Sequence, residues 1–330
     1  MNINKYHLCF VISIVFILTA CQSQMIETKL ESETIDIFLL PYEIEAFETQ
    51  LTQTITNSTN TIHCALRSLN YPKIEQLFID AEESGTTVRI FVDNDYIGNH
   101  RVRLPFVQFS ESKEWGMMHN NFCIFDDQIV MTGSTIFNQN TYNITQHDSI
   151  FINSQELAQA YTSEFWKLYT HQNKTSSQAT NRERLENTSY EVLFCPQDDC
   201  IERYVALVNS ANKTVRFGSY ALTHPEVISA FQSARNRGVI VYGFIDFAGI
   251  TSNSIANRNI PGVQTFKSGY FLHTKLLVID SKIALTGSLN PSLTAQNAND
   301  ENILIIREEN VAEFYEAFIL FQRKINRYYN

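Results

Sequence analysis

Apolar and polar positions along the chain follow a pattern that occurs twice. Short apolar runs, typical of buried strands, alternate with stretches whose apolar residues recur near the helical period. The first half contains predicted strands at 35–40, 61–66 and 87–93 and predicted helices at 43–56 and 73–84. The second half contains predicted strands at 190–194, 214–219 and 239–246 and predicted helices at 199–212 and 225–237. Strands that alternate with helices predict an α/β sandwich in each half.

The two halves read as copies of one unit. Four pairs of matching residues are each separated by 154 positions: His119 and His273, Asp126 and Asp280, Gly133 and Gly287, Ser134 and Ser288. Such a fixed offset is the sequence mark of a tandem duplication. We therefore predict one repeat at 35–170 and a second at 190–330. Polar segments at 21–34 and 171–189 have the composition of a tether and a linker.

The N-terminal end has the features of an export signal. Lys5 precedes an apolar run from Leu8 to Leu18, which is shorter than the roughly 20 residues that a spanning helix needs. A permanent spanning helix is therefore the weaker alternative to a signal peptide at 1–20. The sequence Leu-Thr-Ala-Cys at 18–21 resembles a bacterial lipobox, which implies cleavage before Cys21 and lipidation of its thiol. We expect an exported lipoprotein, anchored on the outer side of the cytoplasmic membrane or in the periplasm.

Charge and cysteine content narrow the class further. A net charge of -10 and a pI near 5.3 disfavour long-range attraction to nucleic acid, although a local basic pocket can still bind phosphate. In an exported protein, cysteines outside the signal can form disulfides. Cys195 and Cys200 are the close pair. Because no second Cys or His pair has the spacing of a zinc site, we favour a disulfide or simple packing over a metal.

A polar motif interrupts the strand pattern near the end of the second half. His273 and Lys275 lie two residues apart, so in an extended chain their side chains share one face. Gly287 and Ser288 end the next predicted strand with a turn that can offer N–H and hydroxyl groups to an anion, and Asn290 follows. Imidazole, ammonium, hydroxyl and amide groups gathered at one place suit a phosphodiester.

The spacing His273-x-Lys275-x-x-x-x-Asp280, followed by Gly287-Ser288-x-Asn290, resembles the signature of the phospholipase D superfamily. That family includes phospholipases, cardiolipin hydrolases, phospholipid synthases and endonucleases. The resemblance implies two α/β sandwich repeats packed about a pseudo-twofold axis with one active site at their interface. A monomer can then form the full site whatever the oligomeric state. It also implies chemistry without metal or cofactor, in which one histidine attacks phosphorus and the other protonates the leaving oxygen.

The resemblance assigns roles to residues of both motifs. His119 and His273 are the expected catalytic pair, with Lys275 beside them, and the resemblance does not decide which histidine is the nucleophile. It implies an acid behind each imidazole, for which Asp148 and Glu301 are the candidates, 29 and 28 residues after the histidines. The candidate phosphate-binding residues are Asn121, Ser134, Ser288 and Asn290. The candidate structural residues are Asp126 and Asp280, which we expect to hold strand ends, with Gly133 and Gly287.

The first motif departs from the family pattern at two positions. Asn121 stands in place of the lysine and Ile136 in place of the asparagine. A unit charge about 4 Å from a phosphate oxygen is worth on the order of 4 kcal/mol at an effective dielectric near 20, so the lost lysine predicts a slower reaction. Asn121 can still donate a hydrogen bond, so activity is kept as a hypothesis.

Three functions fit these residues. The first is an exported phosphodiesterase that acts on a phospholipid such as phosphatidylcholine or cardiolipin, which the expected lipid anchor and the negative charge favour. The second is a nuclease that cleaves single-stranded nucleic acid. The third is a phosphate-binding module that no longer turns over, which the changes at Asn121 and Ile136 permit. Trapping a phosphohistidine on His119 or His273 separates the third from the other two, and substrate assays separate the first from the second.

Overall fold

The computed structural model describes residues 34–95, 104–110, 116–139, 142–170, 186–187 and 189–329. The predicted signal peptide, Cys21 and most of the predicted tether and linker lie outside these residues. Within the described ranges, the helices are too short or too polar to cross a membrane.

The first repeat contains nine strands and three helices among the described residues. In chain order they are β1 (Ile35–Leu40), α1 (Ile44–Asn57), β2 (Thr61–Leu66), β3 (Leu69–Asn70), α2 (Pro72–Glu83), β4 (Thr87–Val92), β5 (Val107–Phe109), β6 (Asn121–Phe125), β7 (Ile129–Gly133), β8 (Phe137–Asn138), β9 (Thr145–Asn153) and α3 (Gln155–Tyr169). The predicted helices and strands of this half agree with the observed ones to within about a residue. The two-residue and three-residue strands were not predicted, because so short a segment carries no readable period.

The second repeat has the same order of major elements. They are β10 (Tyr190–Cys195), α4 (Cys200–Ser210), β11 (Thr214–Ser219), α5 (Pro225–Asn236), β12 (Ile240–Asp246), β13 (Val263–Phe266), β14 (Phe271–Leu272), β15 (Lys275–Ile279), β16 (Ile283–Gly287), α6 (Leu293–Asn297), β17 (Glu301–Ile306) and α7 (Glu309–Tyr329). Several boundaries follow directly from the sequence. Pro72 and Pro225 begin helices α2 and α5, where a missing N–H costs nothing. Ser154 caps α3 by accepting a hydrogen bond from the backbone N–H of Leu157.

Each repeat builds one mixed sheet, and the two strand orders correspond. The first sheet has the order β1-β9-β7-β6-β2-β4-β5, and the second has β10-β17-β16-β15-β11-β12-β13. Strand β14 of the second repeat leaves its own sheet and pairs in parallel with β9 of the first. This pairing joins the two repeats at the N-terminal ends of β9 and β15, which is where the motif residues lie.

The two sheets share a central apolar layer. Helices α3 and α7, one from each repeat, contribute Phe165 and Tyr315 to it, and both side chains are fully buried. Aromatic contacts cross between repeats: the rings of Tyr161 and Phe194 lie 5.2 Å apart, edge to face. A separate apolar cluster covers the outer face of each sheet, beneath helices α1 and α2 in one repeat and α4 and α5 in the other. The shared layer holds the repeats in a fixed relation, which the site between them requires.

Two disulfides lie within the described residues. One joins Cys195 at the end of β10 to Cys200 at the start of α4, the pair singled out from the sequence. The other joins Cys64 to Cys123, which face each other across the antiparallel strands β2 and β6. This second bridge was not predicted, because its cysteines are 59 residues apart in sequence and only the strand pairing brings them together.

Candidate active site

Each motif histidine lies two residues before a strand and is attached to the other repeat. The backbone N–H of His119 donates to the carbonyl of Asp300 at 2.9 Å, and that of His273 donates to the carbonyl of Gln146 at 2.9 Å. We expected His273 to be part of a strand with Lys275, but β15 begins at Lys275. The backbone just before β15 pairs with β9 of the first repeat, so His273 bonds to that repeat and not to the strands of its own sheet. Both histidines are thereby brought to the contact between the repeats.

Two aspartates fix the chain just before the histidines. Oδ2 of Asp93, which follows β4, accepts from the backbone N–H of Met118 at 2.7 Å. Oδ2 of Asp246, at the end of β12, accepts from the backbone N–H of Leu272 at 2.6 Å. Both carboxylates are buried and sit at equivalent places in the two repeats. The two aspartates follow or end parallel strands, and from there each one holds the backbone residue that precedes a motif histidine.

The glycines of the motifs are required by close backbone approach. Gly133 has φ +131°, and a Cβ placed there would lie 2.4 Å from the carbonyl oxygen of Asp148. Gly287 has φ +138°, and its Cβ would lie 2.3 Å from the carbonyl oxygen of Asn302. Because an L side chain would be strained and would collide with backbone at both places, only glycine fits. Each glycine lets strand β7 or β16 end against the strand that carries the acidic residues.

His119 is paired with a carboxylate from the second repeat. Its Nδ1 lies 2.8 Å from Oε2 of Glu301, the first residue of β17. The carboxylate is itself held by the hydroxyl of Ser288 at 2.6 Å and by the side-chain amide of Asn299 at 2.8 Å. A carboxylate on Nδ1 fixes the imidazole tautomer and stabilises its protonated form, leaving Nε2 for chemistry. Thus the acid and its histidine come from different repeats.

His273 is placed against a buried ammonium group. Nζ of Lys275 lies 3.0 Å from Nδ1 of His273 and donates to the His273 carbonyl at 2.6 Å. Burial lowers the pKa of Lys275 to about 7, against the charges of Glu301 and Asp148, which favour the ammonium form. Burial, followed by the charges of Lys275 and two other histidines, lowers the pKa of His273 well below its usual value. The imidazole of His273 is therefore neutral at neutral pH.

Asn121 keeps the hydrogen bond of the missing lysine but not its charge. Its Nδ2 donates to the carbonyl of His119 at 3.2 Å, as Nζ of Lys275 does to the carbonyl of His273. Its Oδ1 accepts from the backbone N–H of Arg67 at 3.3 Å. The amide thus holds the first histidine in the same way while leaving the site with one motif ammonium in place of two.

The structure corrects the prediction that Asp148 supports a histidine. In the sheet registers Leu39 faces Asp148 and Phe194 faces Asn302, so Asp148 is equivalent to Asn302 and not to Glu301. A shift of one residue turns a strand side chain to the opposite face. The side chain of Asp148 accordingly bonds to hydroxyls: Ser134 at 2.5 Å, Tyr315 at 3.1 Å, and Thr286.

Asn302 makes the corresponding contacts in the opposite direction. Its Nδ2 lies 3.0 Å from the hydroxyl of Thr132 and 3.2 Å from that of Tyr161. Asp148 and Asn302 each reach across to a threonine and a tyrosine of the other repeat. Their shared function is to join the repeats beside the site. Burial raises the pKa of Asp148, and the hydrogen bonds from Ser134, Thr286 and Tyr315 oppose that rise.

The structure also corrects the predicted phosphate-binding role of the two motif serines. The hydroxyls of Ser134 and Ser288 are buried and donate to Asp148 and Glu301. Their backbone N–H groups donate to the carbonyls of Asp148 and Asn302 at 2.9 and 3.0 Å. With their donors engaged, these serines orient the acids and do not present N–H or O–H groups to an anion. Asn290 differs, because its buried Oδ1 has no hydrogen-bond partner among the described residues.

Asp126 and Asp280 hold turns at the far ends of the motif strands. Asp280 accepts backbone hydrogen bonds from Asn212, Lys213 and Thr214 at 2.9, 2.7 and 2.7 Å. Asp126 accepts three in the same way from residues 59–61. Burial opposes ionisation of Asp280, but these hydrogen bonds outweigh it and lower its pKa. Both carboxylates thus bond to backbone in the turns, away from the histidines.

His147 is a site residue that the sequence analysis missed. It faces Leu40 in the register in which Glu301 faces Cys195, so it occupies the position of Glu301 in the first repeat. Its ring lies 5.1 Å from that of His273, edge to face, and is fully buried. The constant offset of 154 already aligns His147 with Glu301. Matching the acids by residue type instead of by offset hid this correspondence.

The polar groups converge on one place between the repeats. Lys275 contacts His273, and the charge of Glu301 favours the ammonium form of Lys275. Glu301 also pairs with His119. The charge of His119 in turn lowers the pKa of His273. Two imidazoles, one ammonium and one carboxylate at a single site can together supply a nucleophile, a proton donor and a cation for a phosphate. Within the described part of the chain, no cluster of three His, Cys, Asp or Glu residues could hold a metal ion.

Comparison with known proteins agrees with this geometry. The family model described as "Cardiolipin synthase, PLD-like domain" matches the chain twice, over residues 51–169 and 204–321. These matches cover more than half of the chain, and the chain therefore belongs to this family. The predicted fold, two phospholipase D-like α/β repeats, is confirmed.

Individual relatives are distant. A phospholipase D of Rickettsia prowazekii (strain Madrid E) is 23% identical over 143 residues, which are 40% of this chain and 66% of that protein. A mitochondrial cardiolipin hydrolase of Canis lupus familiaris is 29% identical over 127 residues, 37% of this chain and 50% of that protein. The solved structure of a phosphatidylserine synthase of Haemophilus influenzae Rd KW20 has a TM-score of 0.67 at 13% identity, covering 88% of this chain and 86% of that chain. The last comparison shows the shared fold.

Proposed function

We propose that the protein is a phosphoric diester hydrolase that cleaves a phospholipid through a phosphohistidine intermediate. The observation that carries the proposal is that His119 and His273, one from each repeat, both lie where the repeats contact each other, with Lys275 beside His273. One imidazole attacks phosphorus and the other protonates the leaving oxygen, after which water reverses the steps. The ammonium of Lys275 stabilises the negative charge that grows on the phosphate oxygens.

An exposed apolar surface next to the site favours a lipid over a nucleic acid. We call Ile144, Phe247, Tyr270 and Phe271 the apolar rim; their exposed fractions are 44%, 60%, 38% and 49%. The backbone N–H of Phe271 bonds to the carbonyl of Ile144, and Phe247 follows Asp246, whose carboxylate holds the residue just before His273. Exposed aromatic and aliphatic groups beside a site are typical of proteins that bind a membrane surface.

Charge supports the same choice. The net charge of -10 repels a long polyanion, whereas the rim carries a cation of its own. Nζ of Lys267 lies 4.6 Å from the ring centre of Phe247, so a positive charge stands directly at the apolar surface. An apolar surface with a neighbouring lysine suits the interface of an anionic bilayer, where ring and ammonium lie at the headgroup level.

The substrate is tested by assays of the purified protein in EDTA with three diesters: cardiolipin vesicles, phosphatidylcholine vesicles and single-stranded DNA. We expect turnover of a phospholipid and loss of that turnover in His273→Asn. Cleavage of the DNA without lipid turnover would identify a nuclease instead. Binding without turnover of any of the three would identify a phosphate-binding module, the alternative that the change at Asn121 favours.

We further propose that the protein is exported and anchored in the membrane through a lipid on Cys21. The lipobox-like sequence at 18–21 supports this proposal, as does the presence of two disulfides. Labelled palmitate should enter the parent and not the Cys21→Ser variant in the bacterial host. Equal labelling of the two proteins would reject the anchor without affecting the proposed chemistry.

A further inference from the structure

The pseudo-twofold symmetry of the site is also broken at the pair of equivalent positions behind the two histidines. In the second repeat the position facing Cys195 holds Glu301, which bonds to His119 of the first repeat. In the first repeat the position facing Leu40 holds His147, which packs against His273 of the second repeat. The two catalytic imidazoles therefore have unlike supports, a carboxylate behind one and a second imidazole behind the other.

A backbone carbonyl takes the place of the carboxylate behind His273. The carbonyl oxygen of Ser134 lies 2.9 Å from Nδ1 of His147 and 3.4 Å from Nδ1 of His273. A carbonyl can only accept, so a proton on Nδ1 of His147 satisfies it. Nζ of Lys275 lies 3.0 Å from Nδ1 and 3.2 Å from Nε2 of His273, and an ammonium can only donate. With its proton on Nδ1 toward the Ser134 carbonyl, His273 keeps a lone pair on Nε2 that faces this ammonium. Unlike a carboxylate, a neutral carbonyl adds no negative charge to stabilise an imidazolium.

The charges that act on His273 favour its neutral form, whereas its hydrogen bond to the Ser134 carbonyl favours the protonated form to a smaller extent. Lys275 lies on β15, His147 on β9 and His119 on the chain before β6; the ring of Tyr220, which follows β11, lies 5.7 Å from that of His273. Glu301 and Asp148 act on Lys275, where their charges favour the ammonium form and oppose the larger effect of burial. Burial and then the charge of Lys275 lower the pKa of His147 to about 3, so it does not become a second cation here.

We propose that His147 is a positioning residue that keeps His273 a neutral imidazole, so that His273 is the nucleophile and His119, backed by Glu301, is the general acid. This assignment rests on the proposed phosphodiesterase function. The acid must begin protonated, which a carboxylate partner supports, and the nucleophile must begin with a free lone pair, which the surroundings of His273 supply.

The two steps then balance as follows. The Nε2 lone pair of His273 forms a bond to phosphorus while the bond from phosphorus to the leaving oxygen breaks, and the Nε2 proton of His119 moves to that oxygen. Neutral His119 next takes a proton from water as the water oxygen bonds to phosphorus and the P–N bond breaks. His273 recovers its lone pair and His119 its proton, so the site returns to its starting state.

An activated diester separates the two roles. With a 4-nitrophenyl phosphodiester the leaving group departs without protonation, so His119→Asn should retain the first step to within about 10-fold, whereas general acid catalysis is worth roughly 10²- to 10⁴-fold with ordinary leaving groups. We expect a burst of about one 4-nitrophenolate per chain and an acid-labile phosphoryl group on His273, read by alkaline peptide mass spectrometry. His273→Asn should give no burst.

The opposite pattern, a burst in His273→Asn with phosphate on His119, would overturn the assignment and leave the proposed function intact. If the parent chain turned over neither the activated diester nor any lipid or nucleic-acid diester, the proposed function would fail and the assignment with it. The two failures are thus told apart by the parent enzyme alone.

The role of His147 is tested by a change of charge. His147→Glu places a carboxylate beside His273 and should move the acidic limb of kcat/KM on the activated diester upward by about one pH unit or more, because the carboxylate favours the imidazolium. His147→Gln, which can still donate to the Ser134 carbonyl, should leave the limb in place. A purely structural role would lower the rate without moving the limb. An unmoved limb in a folded His147→Glu protein would contradict the inference.

Discussion

Nδ1 of His119, in the first repeat, lies 2.8 Å from Oε2 of Glu301, in the second repeat. The side chain that supports one half of the site is therefore supplied by the other half. Since the backbone N–H groups of both histidines also bond to carbonyls of the opposite repeat, neither repeat forms a complete site alone. The buried contact between the repeats is therefore part of the active site.

Glu301→Gln should abolish most of the activity without unfolding the protein. The amide keeps an acceptor for Ser288 but removes the negative charge that stabilises the protonated form of His119. Losing the acid behind a catalytic histidine costs about 10²- to 10⁴-fold in kcat. The measurement is kcat on a lipid substrate, with circular dichroism to verify folding. The matched control is Glu309→Gln, an exposed residue at the start of α7, which should match the parent. Activity of Glu301→Gln within 3-fold of the parent would contradict the pairing.

The rate should fall as pH rises through about 7. Burial lowers the pKa of Lys275 to about 7, so the ammonium that faces the phosphate is lost above that pH. This fall should appear near pH 7 in the profile of kcat/KM, which reports the free enzyme. In the profile of kcat this alkaline limb should lie at higher pH, because a bound phosphate anion favours the ammonium form of Lys275. The measurement is a pH profile on a soluble diester.

A matched variant checks that this limb belongs to Lys275. Lys282→Met removes an exposed lysine in the turn after the same strand and should keep the limb near 7. Lys275→Met should lose activity by orders of magnitude. A kcat/KM profile of the parent that is flat from pH 6 to 9 would show that Lys275 stays charged or is not needed.

Asp280→Ala should destabilise the fold while leaving the chemistry of folded molecules intact. The carboxylate accepts three backbone hydrogen bonds, and their loss should lower the free energy of unfolding by about 2 to 4 kcal/mol. Because the pKa of Asp280 is lowered in the folded protein, the folded state binds fewer protons than the unfolded chain in acid. Its stabilisation is present above the unfolded pKa and is lost as pH falls through the folded one.

Urea unfolding at neutral and acidic pH measures this effect. Asp126→Ala should behave like Asp280→Ala, since the two carboxylates make equivalent contacts. Asp127→Asn, next to Asp126 but exposed, keeps an acceptor for the hydroxyl of Thr162 and tolerates the left-handed backbone at φ +51°, so it should change the stability by less than about 0.5 kcal/mol. If kcat fell in Asp280→Ala at unchanged stability, the residue would be catalytic and the structural assignment wrong.

Residues 22–330, produced in an oxidising compartment, should contain no free thiol. Cys64 is joined to Cys123 and Cys195 to Cys200, which uses all four cysteines beyond residue 21. This protein, which lacks Cys21, is unfolded in denaturant and its free thiols are titrated. We expect no free thiol before reduction and four after it. Two free thiols before reduction would show that one bridge does not form.

The sequence predicted the fold well because periodicity and duplication are local or regular signals. The helix expected at 43–56 is observed at Ile44–Asn57, and the strand expected at 35–40 is Ile35–Leu40. The sequence also placed Lys275 beside His273, since residues two apart in an extended chain share a face. Short edge strands such as β5 and β13 escaped, because only pairing with a neighbour defines them.

The sequence predicted less well which side chain lies behind each histidine. Asp148 and Glu301 look alike in composition and spacing, yet the register of β1 with β9 turns Asp148 away and presents His147 instead. The exchange of supports between repeats was equally hidden, because it depends on how two finished sheets pack. The Cys64–Cys123 bridge belongs to the same class of feature, since it is set by strand pairing across a long separation.

Substitution of the apolar rim should weaken action on a membrane and spare action on a soluble diester. Phe271→Ser removes an exposed ring two residues from His273, so it should lower vesicle binding and lipid turnover by about 10-fold, which corresponds to roughly 1.4 kcal/mol of lost burial. Ile240→Ser is the matched control, because Ile240 is 56% exposed but starts β12 at the end away from the site. Vesicle sedimentation, lipid hydrolysis and 4-nitrophenyl diester hydrolysis are measured for both variants. Equal losses on soluble and vesicle substrates would mean that Phe271 shapes the site itself and does not contact a bilayer.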